Sequence, residues 1–458
     1  MKDIEPDTTS DADSGVFSQA LARARALLNQ SRAAEAAEVL HTALTFQPGD
    51  RDGLTLLAQT LGNLGRLEEA EQLLARMRRM FPDDANIGAL HARTLFWMGE
   101  WDRAWRAYRV RFALMDTPPR VYGSDAAGNR QSIRPWMGDG TPERLFVMSE
   151  QGLGDVLQFC RFAAHLHARG IEVSIAAPDR LTALLKTMET PVNWLSAENP
   201  APGGAPTRTW LPMLDIPMAL GLSSDDYSAP KPYLFADPAR PKKWRAKMKK
   251  GDIKIGIAWQ GNPEKDNDRE RSATLETFAP LADIPGVQLY ALQVGDAADA
   301  VKSVPFKARI TTFGKTFDKG DDAFLDTAAV MMELDRIVTV DTAIGHLAGA
   351  LGRPVSILLS KYNSDWRWQR EQRETLWYPT ATLHRQSVHN DWSGPMAEIA
   401  AEIAAEFSGR TGDAVTPHVP VSVGEMLDKM SILTIKTERI KDKTKLANVK
   451  RELEALDE

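Results

Sequence analysis

The residues best placed to do chemistry lie in Thr339-Val340-Asp341-Thr342-Ala343-Ile344-Gly345-His346-Leu347-Ala348-Gly349-Ala350. The apolar pair Ile337-Val338 leads in as a buried strand end, and Asp341-Thr342 breaks the run. The small residues and single histidine that follow have helical spacing. The pattern is a strand, a tight turn and a helix N-terminus. Such a helix start offers unpaired N–H groups and a positive dipole end to an anion. We read it as the seat of a nucleotide diphosphate, to which the rest of the chain presents something. A second stretch, Glu150-Gln151-Gly152-Leu153-Gly154-Asp155, follows the apolar run Leu145-Phe146-Val147-Met148. Gly152 and Gly154 lack the third glycine of a dinucleotide fingerprint, so that signal is weak. They do indicate a close backbone turn at a strand's carboxyl end, where ligands of open α/β sheets collect. Asp155 then either points into a cleft or caps the helix behind it; local residues leave both open.

The elements that must hold these stretches follow from the rest of the chain. Its 458 residues exceed what one core organises, so two to four domains are expected. The formal net charge of −6 argues against broad nucleic-acid binding. One cysteine, Cys160, excludes an internal disulfide framework and a cysteine-based zinc site. No apolar run approaches the roughly 18–20 residues that span a bilayer. Residues 1–15 are polar and acidic and lack a signal peptide's basic start and apolar core. They read as the disordered leader of a cytoplasmic protein.

Ala36, Ala70 and Ala104 recur at intervals of 34, as do Leu27, Leu61 and Leu95. The pairs Pro48/Pro82 and Gly65/Gly99 keep the same step. A 34-residue period, with small residues where helices touch and proline where a pair ends, resembles the tetratricopeptide repeat. About three repeats fit in 16–117. Trp97, Trp101 and Trp105 fall at helical spacing in the last of them. They either line a peptide groove or seal the solenoid against the next domain, and sealing is the favoured reading for a terminal repeat. Residues 118–143, rich in proline, glycine and aspartate, read as a linker or irregular wrap. Short apolar strands alternating with helices then indicate two α/β halves, 144–240 and 241–408, with a cleft between them. The basic run 238–252 reads as a solvated surface helix. Residues 409–420 form a second linker, and apolar spacing over 421–458 predicts a helical hairpin that packs on this protein, a second copy or a partner.

Three further stretches bear on identity: Gly256-Ile257-Ala258-Trp259-Gln260-Gly261-Asn262-Pro263 with Arg269 and Arg271-Ser272 beyond it, Asp365-Trp366-Arg367-Trp368, and Trp377-Tyr378-Pro379. With the two opening stretches, and in this order, they resemble the donor-site pattern of heptosyltransferase-like glycosyltransferases. The repeats bring the match closer to bacterial relatives with fused tetratricopeptide repeats, in the glycosyltransferase family 9 and O-GlcNAc-transferase-like group. The resemblance implies a GT-B fold of two Rossmann-like domains, a nucleotide-sugar substrate held mainly by the second, no cofactor and no obligatory metal. Asp266-Asn267-Asp268 looks like a metal-binding Asp-x-Asp but reads as a loop coincidence. Asp155 would be the general base at the acceptor hydroxyl. Asp341, Thr342 and Ala343 would hold the diphosphate, and Arg271 would neutralise the leaving group. Trp259, Gln260 and Gln293 would contact nucleotide or sugar, with Gln151 and Gly154 on the acceptor side. His346 either touches the donor or is a satisfied buried histidine. Trp366 and Arg367 either wall the base or pack an interdomain loop. Where relatives carry His-Lys after Asn-Pro, this chain has Glu264-Lys265, which removes a histidine from that position.

These features imply a glycosyltransferase acting on a hydroxyl, with a protein acceptor such as flagellin or another surface protein brought by the repeats. The alternatives are a non-catalytic repeat adaptor that senses a nucleotide sugar, and a transferase for a polysaccharide or lipid-linked glycan.

Overall fold

The computed structural model describes residues 10–124, 129–198, 207, 209–248, 253–262, 268–319, 324–362, 364–410, 434, 436 and 437. The predicted hairpin and the segment from Pro263 to Asn267 thus lie outside the described residues, apart from three helical positions in the hairpin. The described residues up to Phe407 form one compact unit.

The 34-residue period becomes three helix pairs: α1 (Ser10–Asn29) with α2 (Ala33–Phe46), α3 (Arg51–Asn63) with α4 (Leu67–Met80), and α5 (Ala85–Trp97) with α6 (Trp101–Tyr108). Ala36, Ala70 and Ala104 have no exposed surface, because helices cross there. Asp50 and Asp84 cap α3 and α5: Asp50 accepts from the Gly53 amide at 2.7 Å, and Asp84 from Asn86 at 3.0 Å. The turn inside each pair needs a left-handed residue, supplied by Ser31 (φ 62°), Gly65 (φ 75°) and Gly99 (φ 76°). The expected leader gives way to helix from Ser10 onward. Phe17, Leu21, Ala24 and Leu27 continue the helical spacing of a buried face and carry α1 upstream.

Residues 118–143 are more ordered than a linker. They contain an antiparallel hairpin, β1 (Val121–Ser124) with β2 (Arg130–Ile133). Beyond it the Trp136 amide donates to the Trp210 carbonyl at 2.7 Å, sewing the segment to the first sheet.

The first α/β domain is a parallel sheet of β3 (Arg144–Met148), β4 (Glu172–Ala177), β5 (Asn193–Ser196) and β6 (Trp210–Pro212), in the order β5-β4-β3-β6. The second has six parallel strands: β7 (Ile253–Ala258), β8 (Val287–Ala291), β9 (Ile310–Thr311), β10 (Arg336–Val340), β11 (Val355–Leu359) and β12 (Ala381–Arg385). Its order, β12-β11-β10-β7-β8-β9, is that of the doubly wound dinucleotide-binding sheet. The order reverses between β7 and β10, so the ligand crevice falls beyond the carboxyl ends of those two strands. Two such domains facing each other across a cleft make the GT-B arrangement.

The helix α7 (Ser393–Glu406) belongs to the second domain. Its Met396, Ile399 and Ile403 are buried in the second domain's own core. The basic run 238–252 contains only a short described helix, Pro241–Arg245, and it is anchored rather than solvated throughout. Trp244 is buried against Phe313 and Phe317 and donates to Asp326 at 2.8 Å.

What crosses between domains is the segment around Trp366–Tyr378. Trp366 stacks on Phe96 of the repeats, ring centroids 4.1 Å apart, and Trp377 stacks on Tyr227 of the first domain at 5.1 Å. Trp101 meets Tyr227 edge-on, and the Trp105 indole N–H donates to the Tyr227 hydroxyl at 2.8 Å. The repeat tryptophans therefore seal the solenoid, as favoured above. Trp97 joins them, with the guanidiniums of Arg93 and Arg370 both over its ring.

Candidate active site

The interdomain cleft encloses about 710 Å³. From the second domain it is lined by the turn after β7 (Gln260, Gly261, Asn262), by Gln293 after β8, and by Asp341 to Ile344 after β10. Across it stand Gln151 to Asp155 of the first domain. Strand order accounts for the gathering: each group sits at a strand's carboxyl end, with β7 and β10 flanking the reversal of the second sheet and β8 beside β7.

Thr342 is extended and begins the helix Ala343–Ala350; its hydroxyl accepts from the Ile344 amide at 3.3 Å. The helix is made of small residues for a steric reason. A methyl at Gly349 would lie 2.3 Å from the Tyr378 ring. The first-domain helix Leu153–Phe159 packs directly against it. A methyl at Gly154 would lie 2.9 Å from the His346 ring and 3.5 Å from the Ala343 Cα. Gly154 is thus needed where the two helix starts touch. Gln151 holds the turn with a left-handed backbone (φ 64°) and donates to the Tyr108 hydroxyl at 3.0 Å. A non-glycine residue in that region costs about 1–3 kcal/mol, a strain that clusters at functional sites.

Both local readings of Asp155 hold at once. One carboxylate oxygen accepts from the Gly152 amide at 2.8 Å and caps the helix. The other pairs with Arg367 at 2.5 Å, and the group lines the cleft. One lone pair on each oxygen remains for a substrate proton. Arg367 is buried and also meets Asp365 at 3.0 Å and Gln158. Burial opposes its charge, but Asp365 and Asp155 together raise its pKa above the ordinary value. Of the two readings for Arg367, it therefore packs the domain interface while also lining the cleft.

His346 is buried, stacked on Trp368 at 5.2 Å, and its Nδ1 lies 2.9 Å from the Tyr378 hydroxyl. Burial, then the charges of Arg367, Arg161 and Arg271, hold its pKa well below 6.5. It is neutral at physiological pH, satisfied on one side and open to the cleft on the other. Asp341 is pushed up to about 6, first by burial and then by Asp365; the charges of Arg271 and Arg367 oppose the shift.

Eleven expected residues line this one cleft: Gln151, Gly154, Asp155, Gln260, Arg271, Gln293, Asp341, Thr342, Ala343, His346 and Arg367. Trp259 and Trp366 do not. Ile253, Ile255, Ile257 and Trp259 fall on one face of β7 and its extension, and that face is core. The period-two register with the three isoleucines is the signal that places Trp259 in the core. Trp259 contributes only its amide, which donates to the Gln293 carboxamide at 3.1 Å, with Gln260 beside it at 3.0 Å. Trp366 packs in the repeat seam and borders a smaller cavity beside the cleft. Arg180, Glu198, Asp318 and Phe324 also line the cleft and were not anticipated. Arg180, two residues past Pro178 at the end of β4, carried the same strand-end signal. Asp318 and Phe324 lie in a loop with no such pattern.

Tetratricopeptide repeats fused to a GT-B pair of α/β domains is the class that this fold defines. The tetratricopeptide repeat family model matches residues 27–94. Protein FlbA of Caulobacter vibrioides is 24% identical over 343 residues, 70% of this chain and 56% of its own length. The chain thus spans little more than half of that curated relative. Among solved structures the chain is similar to ADP-heptose LPS heptosyltransferase II of E. coli, with 14% identity, 57% of this chain and 99% of that one, and a TM-score of 0.36. It is also similar to the glycosyl transferase family 9 protein of Veillonella parvula, with 12% identity, 58% and 89% coverage, and a TM-score of 0.39. The fold assignment itself rests on this chain's own strand order and cleft. Among the described residues no helix is long and apolar enough to cross a membrane.

Proposed function

We propose that the chain transfers a glycosyl group from a nucleotide sugar to a hydroxyl acceptor on a protein, flagellin or another surface protein being the candidates, without an obligatory metal. One observation carries this reading. A helix start at the second sheet's switch point faces a fixed carboxylate of the first domain across a single cleft. The amides near Thr342 and Ala343 and the Thr342 hydroxyl would hold the diphosphate, with Arg271 neutralising charge on the leaving group. Asp155 would take the acceptor's proton as the oxygen attacks the anomeric carbon and the nucleotide departs. Its cap and its Arg367 partner fix the carboxylate in position, and His346, held neutral, adds no charge there.

The acceptor side also has a path. A groove of about 960 Å³, lined by 114–120, Tyr122 and 148–151, shares Gln151 with the cleft. It runs from the end of the repeats to Asp155's turn, which favours an extended protein segment as acceptor.

Thermal-shift screening with UDP-, GDP-, ADP- and CMP-sugars tests the donor site. A donor at one hundred times its Kd adds about 2.7 kcal/mol to folding stability. The expected result is one stabilising nucleotide class and a mass increase on a co-expressed acceptor. No shift with any donor overturns the reading, and binding without transfer leaves only the sensor.

A further inference from the structure

The cleft has a side cavity of about 200 Å³ that shares Arg271, Asp341 and Asp365 with it. Its far wall includes Ser360, Ser364 and a residue from a different part of the molecule, Arg93 of repeat helix α5. The Arg93 guanidinium lies over the Trp97 ring at 4.7 Å. Its Nε is closed off from solvent and has no hydrogen-bond partner. Burial and the nearby Arg370 lower its pKa to about 10, so it stays charged at neutral pH. Nε is shut off from the cavity as well as from solvent, so the part of Arg93 that lines the cavity is what a ligand there meets, with Asp365 and Glu270 as the nearby opposite charges.

The chemistry of the lining narrows the ligand. Guanidiniums donate, aspartates accept and serine hydroxyls do both. Opposite charges are interspersed rather than of one sign, which suits a ring of neutral hydroxyls better than a phosphate. The volume is well below the range of about 300–1,000 Å³ typical of drug-sized ligands, so it takes one ring and not a whole nucleotide. The cavity opens beside Asp341 and Thr342, next to the diphosphate position.

We propose that Arg93 is a donor-specificity residue: it hydrogen-bonds the sugar of the nucleotide sugar, so that the repeats complete the donor site. This rests on the donor-site reading above. It gives the repeats a role separate from any in acceptor capture.

The test is calorimetric titration of the full chain with UDP, GDP, ADP and CMP and with sugars linked to each. Arg93→Met keeps most of the side-chain volume and removes the donors. It is expected to weaken the nucleotide sugar roughly ten- to hundredfold while leaving the bare nucleotide unchanged, as befits a lost hydrogen bond to a charged group. Arg93→Lys should recover part of the loss. Equal losses for sugar-linked and bare nucleotide, or no loss for either, overturn the proposal. The bare nucleotide also reports whether the variant's site is still folded. Failure of the wild-type chain to bind any of these ligands is a different result, and it removes the donor site itself.

Discussion

The seam between the repeats and the α/β domains and the cleft beside it use arginine to opposite ends. The seam sets it among tryptophans, whereas among the described residues the cleft lining pairs it with carboxylates and holds no tryptophan. In the seam, Phe96, Trp101, Trp105, Tyr227, Trp366 and Trp377 close on each other with centroids 4.1–6.4 Å apart. There the Trp105 indole N–H is paired with Tyr227. In the cleft, carboxylates and guanidiniums line an open space of about 710 Å³, and one backbone turn is held left-handed. The seam contributes stability by excluding water. The cleft gives up some stability to keep polar groups available. Arg367 belongs to both, since its ring-facing side lies on Trp366 and Phe159 while its donors reach Asp155 and Asp365.

That contrast breaks if the two regions respond alike. The largest expected effect is at Asp155. Asp155→Asn should lower transfer by about 10²–10⁴, the usual contribution of a general base, with donor binding retained by calorimetry. Unaltered turnover would remove it as the base. Arg367→Met strips the counter-charge from two carboxylates and should cost about 3–5 kcal/mol in denaturant unfolding. Because Arg367 bridges the regions, donor affinity should fall as well. Trp105→Ala should cost a similar 3–5 kcal/mol through lost packing but leave donor affinity in the folded fraction unchanged. A selective loss of donor binding there would mean that the seam is part of the site.

The smallest effect is a pH dependence. Asp341 holds its proton up to about 6 in the folded chain, against 3.8 ordinarily. A raised carboxyl pKa means that the folded state binds the proton more tightly. Its charge is therefore a cost above pH 6, relieved as pH falls from 6 towards 3.8. The same protonation removes a negative charge beside the diphosphate. Affinity for a nucleotide sugar should therefore rise, by about tenfold or less, between pH 7.5 and 5.5. Asp341→Asn should flatten that dependence. His346, held neutral, does not contribute over this range.

Much of the architecture was legible before any coordinates. The 34-residue period gave three helix pairs because a solenoid repeats the same contacts. Leu145–Met148 and Ile337–Val340 read as strand ends because parallel strands are buried on both faces. Most of the site was legible for the same reason, since it collects at strand ends. Where the reading failed the cause is definite. Trp259 looked like a site residue by position, whereas its register with Ile253, Ile255 and Ile257 puts it in the core. Trp366, left open between a cleft wall and interdomain packing, packs on the repeats, one residue from Arg367, which reaches Asp155; only tertiary contacts decide between the two.

The sequence by itself determined the local pieces: helix pairs, strands and the turn at Asp341-Thr342. These depend on neighbours within a few residues or on a repeating period. Only the tertiary structure decided which side chains meet. Arg367 reaches Asp155 across 212 positions of chain, and Arg93 of the repeats faces Asp365 of the second domain. Such pairings arise from the packing of whole elements, which no spacing within one element encodes.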